Sequence, residues 1–589
     1  MTIPRQASAR DDLRSELLDR VSDEPLVRNR TLPHSATRHM CVGCYVDHEY
    51  RERAVCDVYL ARSRQVAPSY GYDLIPVLVH ARRAAWIDHA QHVLVVVAIA
   101  YWIYHDLFAA AITISAVIDW YVIKRFWRLL KDFMSYIRTR GSLAERAHLR
   151  RRFRWLTAGL IAPWFFVIGV AFYFARRILD QHFAHLRVVG LEVLLTLGSL
   201  IAIVSVAAVV RQICIDRIPA NPQQERIYRA RLERIRRDQY RPITVFSGYR
   251  PFVGSGVEVR TWSFAQRLRR VGEAPEDQAD LAVDHPPDPL PEDLGEPPFR
   301  TVVLVDHIRE QMSKLVRDTD TELALPHLRV YDAAFVGGYR TGKLTAGRTQ
   351  DQIDNGTADA IAINSLLDNA SDRDRHYIVC QVTAWDGEIV ASMFIHVGIQ
   401  GRALYLELTS WALPQTRDAF LVGDLRRGSG LPAYWRAFRR SALRMPTELA
   451  RAPGGLARLA KRPLYLLLPS FERTRDTKRD VGASFSLREL AANVHTDPKG
   501  YVERPPTMSY FQWRDVVKFH QVIERRLLSS VQEFLESRDI DTAEYRERAV
   551  ALFNTGIVQF GSGTISVQNL ATSTSDVDNA IRAAMAEQI

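Results

Sequence analysis

Several groups of residues have the types and spacing for chemistry. The run Ser-Gly-Tyr-Arg-Pro-Phe-Val-Gly-Ser-Gly brings Gly248, Gly254 and Gly256 close together after a short apolar stretch. Clustered glycines let backbone amides converge on an anion, so a phosphorylated or nucleotide ligand is one expectation here. The loop has no lysine or hydroxyl of a phosphate loop, and a tight turn beside Pro251 is the plainer reading. The segment Gly337-Gly-Tyr-Arg-Thr-Gly342-Lys343 has the spacing of a nucleotide-binding loop, which makes Lys343 a candidate phosphate contact. Leu344 stands where the Mg²⁺-holding hydroxyl belongs, and the apolar run ending at Asp306 precedes the loop instead of following it. Cys41, Cys44, Cys56 and His48, with His39 nearby, could make up a tetrahedral zinc set. A second Cys-x2-Cys pair is missing, so packing is the expectation, with no metal and no cofactor. No Ser-His-Asp arrangement is legible. Glu388 and Glu407 fall on expected strands and read as ordinary solvent-face carboxylates.

Two further segments suggest surfaces. Residues 426–462 carry ten basic side chains and one acid, Glu448, interleaved with Tyr434, Trp435 and Phe438. Such a helix suits an anionic leaflet, with Arg436, Arg439, Arg440 and Arg444 as its membrane-surface residues. A packed or solvated face is the rival reading, and nucleic acid is not an expected partner. The tail from 556 to 589 begins small, β-prone and nearly uncharged. Its Val558-Gln559-Phe560-Gly561 resembles the core of the RIP homotypic interaction motif and of bacterial amyloid-signalling motifs, with Thr564 where that motif has Asn. The resemblance implies self-association or capture of a protein partner by strand pairing. An ordinary hairpin or tail is the alternative.

The elements that must position these residues follow from length and hydropathy. The chain has 589 residues, 47% hydrophobic and 25% charged, which excludes a disordered protein and is long for one core. Five cysteines exclude a disulfide scaffold. Arginine greatly outnumbers lysine, as in GC-rich bacterial genomes. Trp155–Ala175 and Val193–Val210 are uncharged and long enough to cross a membrane. Val93–Ile123 is too long for one crossing and predicts a hairpin turning at His105-Asp106. The loop from Lys124 to Arg154 holds eleven basic residues and two acids, which places it in the cytoplasm. Four spans in the bacterial inner membrane, with both termini cytoplasmic, satisfy every charged flank.

The expected fold class is a membrane-anchored α+β protein: four transmembrane helices plus a cytosolic domain with an antiparallel β meander and C-terminal helices. Its parts are an N-terminal helical region (1–85), the membrane block (86–212), a basic helical stalk with the glycine segment (213–270), an acidic proline-rich linker (271–299), the α+β domain (300–555) and the tail (556–589). The meander is read at 376–411, a helix at 302–315, another at 509–537, and a last one opening at Asp541 and stopping at Gly556. PFVGSG followed by Trp-Ser-Phe, the basic membrane block, and the strands around WDGEIVASMFIHV and GRALYLEL make the chain resemble uncharacterised actinomycete multi-pass membrane proteins. That group has no assigned activity, so the resemblance implies architecture and no site. The functional expectation is a membrane-anchored binding, scaffold or signalling protein whose partners are the bilayer, its anionic leaflet and a protein or second copy. The alternatives are a membrane-bound enzyme or sensor for a phosphorylated ligand, and a pore-forming effector.

Overall fold

The computed structural model describes residues 34–61, 64–139, 184–222, 230–247, 250–272, 297–317, 324–325, 327–337, 366–367, 374–424, 430–467, 482–483, 485–492, 494 and 508–558. In chain order its elements are α1 (His34–Val46), α2 (His48–Arg53), a π-helical turn (Ala54–Tyr59), α3 (Leu74–His105), α4 (Leu107–Thr139), α5 (Ala184–Asp216) and α6 (Ala230–Asp238). There follow β1 (Ile243–Phe246), β2 (Val257–Arg267), α7 (Thr301–Arg317), β3 (Leu328–Gly337), β4 (Asp374–Ala384), β5 (Ile389–Gln400) and β6 (Ala403–Leu413). The chain continues with α8 (Leu431–Leu467), α9 (Leu487–Ala492), α10 (Tyr510–Glu536) and α11 (Ala543–Val558). The expected span Trp155–Ala175 and most of the expected linker lie outside the described residues.

The chain divides into two compact units. The larger comprises Met1–Trp262, Ser313–His396 and Glu407–Gln521; the smaller comprises Ser263–Met312, Val397–Leu406 and Val522–Ile589. The sheet has six strands in the order β1-β3-β4-β5-β6-β2. β1 pairs with β3 in parallel, whereas β3–β4 and β4–β5 are antiparallel, so the sheet is mixed. Every described residue from Tyr377 to Val382 on β4 and from Ile389 to Val397 on β5 is buried. This explains why both strands read as continuous β-branched and aromatic runs: both faces are covered. One face carries an aromatic cluster in which Phe252 stacks on Phe394, with ring centres 4.2 Å apart, and meets Phe335 and Tyr377 edge-on.

The larger unit also holds a group of long helices. α3 ends at His105 and α4 begins at Leu107, with Asp106 extended between them (φ −147°). Asp106 caps α4 by accepting the Ala109 amide (3.1 Å). Val95 and Val117, equally far from Asp106, join Leu200 and Val204 of α5 in one apolar cluster. A continuous helix would separate those two valines by about 33 Å, so α3 and α4 fold back on each other. α5 runs against α3, with Trp102 Nε1 donating to Ser199 Oγ (3.2 Å) at one level and Arg211 donating to Asp88 Oδ1 (2.8 Å) at the other. Asp88 also accepts from Arg51 and lies 3.6 Å from His48 Nδ1, while Arg51 donates to the Cys44 carbonyl (2.7 Å). One buried carboxylate therefore ties α2, α3 and α5 together.

Two expected boundaries are corrected. The helical stalk over 213–240 is broken: α5 stops at Asp216, and residues 217–222 are not α-helical. Pro219 explains the stop, because the residue before a proline is forced out of the helical region. Gly556 does not stop the last helix, which continues to Val558. Glycine weakens a helix interior by about 1 kcal/mol but terminates it only where a left-handed cap forms.

In the smaller unit Phe299 packs edge-on against Phe534 (4.9 Å between centres). There Tyr545 Oη donates to the Leu528 carbonyl (2.9 Å), fastening α11 to its end of α10.

Candidate functional site

The amides of the glycine loop have an acceptor within the chain. Gly254 and Gly256 both adopt φ of +95°, and a Cβ on Gly256 would lie 2.3 Å from the Ala412 carbonyl oxygen. Their amides converge, as the spacing suggests, but on the protein's own carboxylate: Gly254 N and Gly256 N donate to Glu489 Oε1 at 3.0 and 3.1 Å. Burial pushes the Glu489 carboxyl above its ordinary pKa, and the two amides and Arg250 oppose that. In this structure the acceptor at Gly254 and Gly256 is thus internal. Gly248 and Lys343 lie outside the described residues.

Cys41 and Cys44 sit inside the α1 core, where Cys44 Sγ donates to the carbonyls of Met40 (3.3 Å) and Val77 (3.5 Å). Burial pushes its thiol up, away from the thiolate a metal requires. His48 is engaged with Arg51 and Asp88, and Cys56 lies on the π-helical turn. Among the described residues, no group of three or more His, Cys, Asp or Glu could hold a metal ion. Arg436, Arg439, Arg440 and Arg444 all fall on α8. Val558 ends α11, while Gln559, Phe560 and Gly561 lie outside the described residues.

The arrangement with the most concentrated chemistry escaped sequence reasoning. It starts at a strained turn: Trp385 (φ 53°), Asp386 (φ 51°) and Gly387 (φ 87°) are left-handed in succession between β4 and β5. Two non-glycine residues in that region need external support. Asp386 Oδ2 accepts the Ser35 amide (3.1 Å), and Trp385 Nε1 donates to Asp515 Oδ2 (3.0 Å). The turn delivers Glu388, which is 8% exposed instead of facing solvent. Its Oε2 accepts both the amide (2.8 Å) and the hydroxyl (3.0 Å) of Thr416, and its Oε1 meets His39 Nδ1 (2.6 Å). His39 Nε2 meets Asp424 Oδ2, and Arg38 donates to the other oxygen of Asp424. Arg488, wholly buried, donates to the Glu388 carbonyl (2.8 Å) and lies 3.8 Å from its carboxylate.

Burial alone would lower the His39 pKa, but the hydrogen bonds and charges of Glu388 and Asp424 outweigh it, and the net shift is upward. Burial would likewise raise Glu388, yet the His39 hydrogen bond and the Arg488 charge hold it below its ordinary value. An imidazolium that donates from both nitrogens has no lone pair left to act as a base. It is a cationic strut between α1, the β4–β5 turn and the segment at Asp424. The pairing stabilises the fold fully below the ordinary histidine pKa of about 6.5 and is lost as pH rises through the higher folded value. The Glu388 contribution is present above about 4.5 and is lost as pH falls through its lowered folded value. Stability of the purified full chain is therefore expected to fall as pH rises above about 6.5, with that part of the slope absent in His39→Phe. Equal slopes in the two proteins would sink the assignment.

A six-stranded mixed sheet whose β4 and β5 are buried on both faces, a long helical hairpin in the larger unit and an internal ion-paired joint together describe the class of protein. The AbeC-like domain family model matches residues 261–568, more than half of the chain, and the chain belongs to that family. No curated protein and no solved structure shows significant similarity to it.

Proposed function

We propose that this is a non-enzymatic, membrane-anchored binding or scaffold protein of the bacterial inner membrane, with α3, α4 and α5 in the bilayer and the sheet in the cytoplasm. The observation that carries this reading is where the exposed apolar side chains fall. Val93, Leu94, Val97, Leu194, Leu195 and Val206 are 41–66% exposed, which water would penalise and acyl chains would not. Aromatic residues bracket them. Trp86 (66% exposed) and Trp127 (65%) lie near Arg82, Arg83 and Lys124 in sequence, while Tyr101 (56%) and Tyr104 (93%) lie near the Asp106 turn. Eighteen residues separate Trp86 from Tyr104, about 27 Å of helix against a hydrocarbon core of about 30 Å. Aromatic belts at that spacing, with the basic residues at one end, are the pattern of a cytoplasm-facing membrane protein. Leu74–His105 and Gly190–Asp216 are both long and apolar enough to cross. In sequence, the uncharged run Trp155–Ala175, outside the described residues, is long enough for the further crossing that a four-span topology needs. The non-enzymatic part of the proposal is supported by the filled glycine nest and by a histidine with both nitrogens engaged.

Membrane extraction and reporter fusions test it. The chain is expected to stay in the membrane pellet after alkaline carbonate. Alkaline phosphatase inserted at Asp106 is expected to be active, and fused after residue 270 it is expected to be inactive. Release into the supernatant, or the reverse pattern of fusions, would overturn the proposal.

A further inference from the structure

The described surface of α8 divides into three stripes. The first faces the bundle: Ser441, Met445 and Ala452 are buried, Ser441 Oγ donates to Ser205 Oγ (3.2 Å), and Met445 and Ala452 join the cluster of Val95, Val117, Leu200 and Val204. Gly455 lets the helix approach α3 closely, since a Cβ there would lie 2.2 Å from His92 Nδ1. The second stripe is apolar yet exposed: Leu431 (82%), Trp435 (64%) and Phe438 (36%) follow one another at i, i+4 and i+7. The Trp435 and Phe438 rings stack with centres 5.4 Å apart and planes at 12°. The third stripe is basic, with Arg439, Arg440 and Arg444 exposed and Arg436 half-buried and bonded to the Pro432 carbonyl (3.2 Å).

The level of this helix along the bundle is set by its contacts. Gly430 N donates to Asp216 Oδ2 (3.4 Å), Lys124 Nζ donates to the Leu443 carbonyl, and Gly455 abuts His92. Asp216, Lys124 and His92 all lie well away from the Asp106 turn, toward the end of the bundle that carries the basic residues. Resting on the membrane reading above, we infer that α8 is an interfacial helix that binds the anionic phospholipid headgroups of the cytoplasmic leaflet. Leu431, Trp435 and Phe438 enter the acyl boundary beside the bundle, and the arginines meet the phosphates. Arginine suits that partner because its planar guanidinium grips a phosphate with two hydrogen bonds. Each such cation near an anionic surface contributes about fivefold in binding.

The experiment reconstitutes the full chain into vesicles of brominated phosphatidylcholine, with or without phosphatidylglycerol, and floats them. Tryptophan quenching in the wild type minus that in Trp435→Phe reports the depth of this one ring. The expected result is a clear quenched component at Trp435 with phosphatidylglycerol. It should fall several-fold in phosphatidylcholine alone and in the variant with Arg436, Arg439, Arg440 and Arg444 all changed to Gln. A chain that floats with the vesicles but shows no Trp435 component, or the same one with and without phosphatidylglycerol, overturns the inference and leaves the anchor standing. A chain that fails to float overturns both. A duplex oligonucleotide bound by the detergent-purified chain, with affinity lost in the four-arginine variant, would reassign the surface to nucleic acid. The comparison of the two lipids in the wild type keeps the test decisive even if the four-arginine variant does not fold.

Discussion

Glu388→Ala is expected to lose about 3–5 kcal/mol of stability, measured as a shift in the denaturation midpoint of the purified full chain. Glu388 accepts four hydrogen bonds or ion pairs in an almost sealed position: the Thr416 amide, the Thr416 hydroxyl, His39 and Arg488. Removing it leaves a wholly buried guanidinium without its counter-charge, and two Thr416 donors without an acceptor. Asp424→Ala removes the carboxylate on the other side of His39, but that side chain is 40% exposed, so water replaces much of what is lost. The expected order is therefore Glu388→Ala far worse than Asp424→Ala. Equal losses would show that the joint does not depend on the buried half.

Asp88→Ala is expected to have an effect of similar size, about 3–5 kcal/mol. Its carboxylate is only 9% exposed and is shared by Arg51 and Arg211, with His48 alongside. Truncation leaves the Arg51 guanidinium, itself 7% exposed, facing Arg211 with no anion between them. The remedy is informative. Asp88→Leu combined with Arg51→Met and Arg211→Met should recover much of the loss, because a buried ion-paired group replaced whole by apolar groups of similar volume is often neutral. A double-mutant cycle isolates the coupling. A single Asp88→Ala chain within about 1 kcal/mol of the wild type would mean that α2 and α5 do not rely on this charge.

Much of the local structure was readable one residue and its neighbours at a time. The break at His105-Asp106 followed from an apolar run too long for one crossing, and Asp106 does cap the next helix. The strands around Trp385–Gly387 and Gly401 followed from β-branched runs punctuated by turn residues. The helices at Thr301–Arg317 and Tyr510–Glu536 followed from apolar spacing. Other features were not readable. Nothing local to Ile243–Phe246 and Val257–Arg267 says that they occupy opposite edges of one sheet, because strand order depends on the path of the chain between them. Glu388 looked like any strand carboxylate; the one available signal was the tight Trp385-Asp386-Gly387 turn just before it.

By itself, the sequence determined what depends on composition and near neighbours: which segments are long and apolar, where they break, and where basic charge accumulates. Tertiary structure alone decided which polar groups meet. It placed Glu489 in the nest of Gly254 and Gly256, and His39 between Glu388 and Asp424, 349 and 385 residues away. A glycine spacing shows that amides can converge, but not on which anion. A histidine or a glutamate shows its charge, but not its partner. Hydropathy and periodicity act over a few residues, whereas the pairing of buried charges is set by how distant segments are folded together, and their energies appear only once water is excluded from between them.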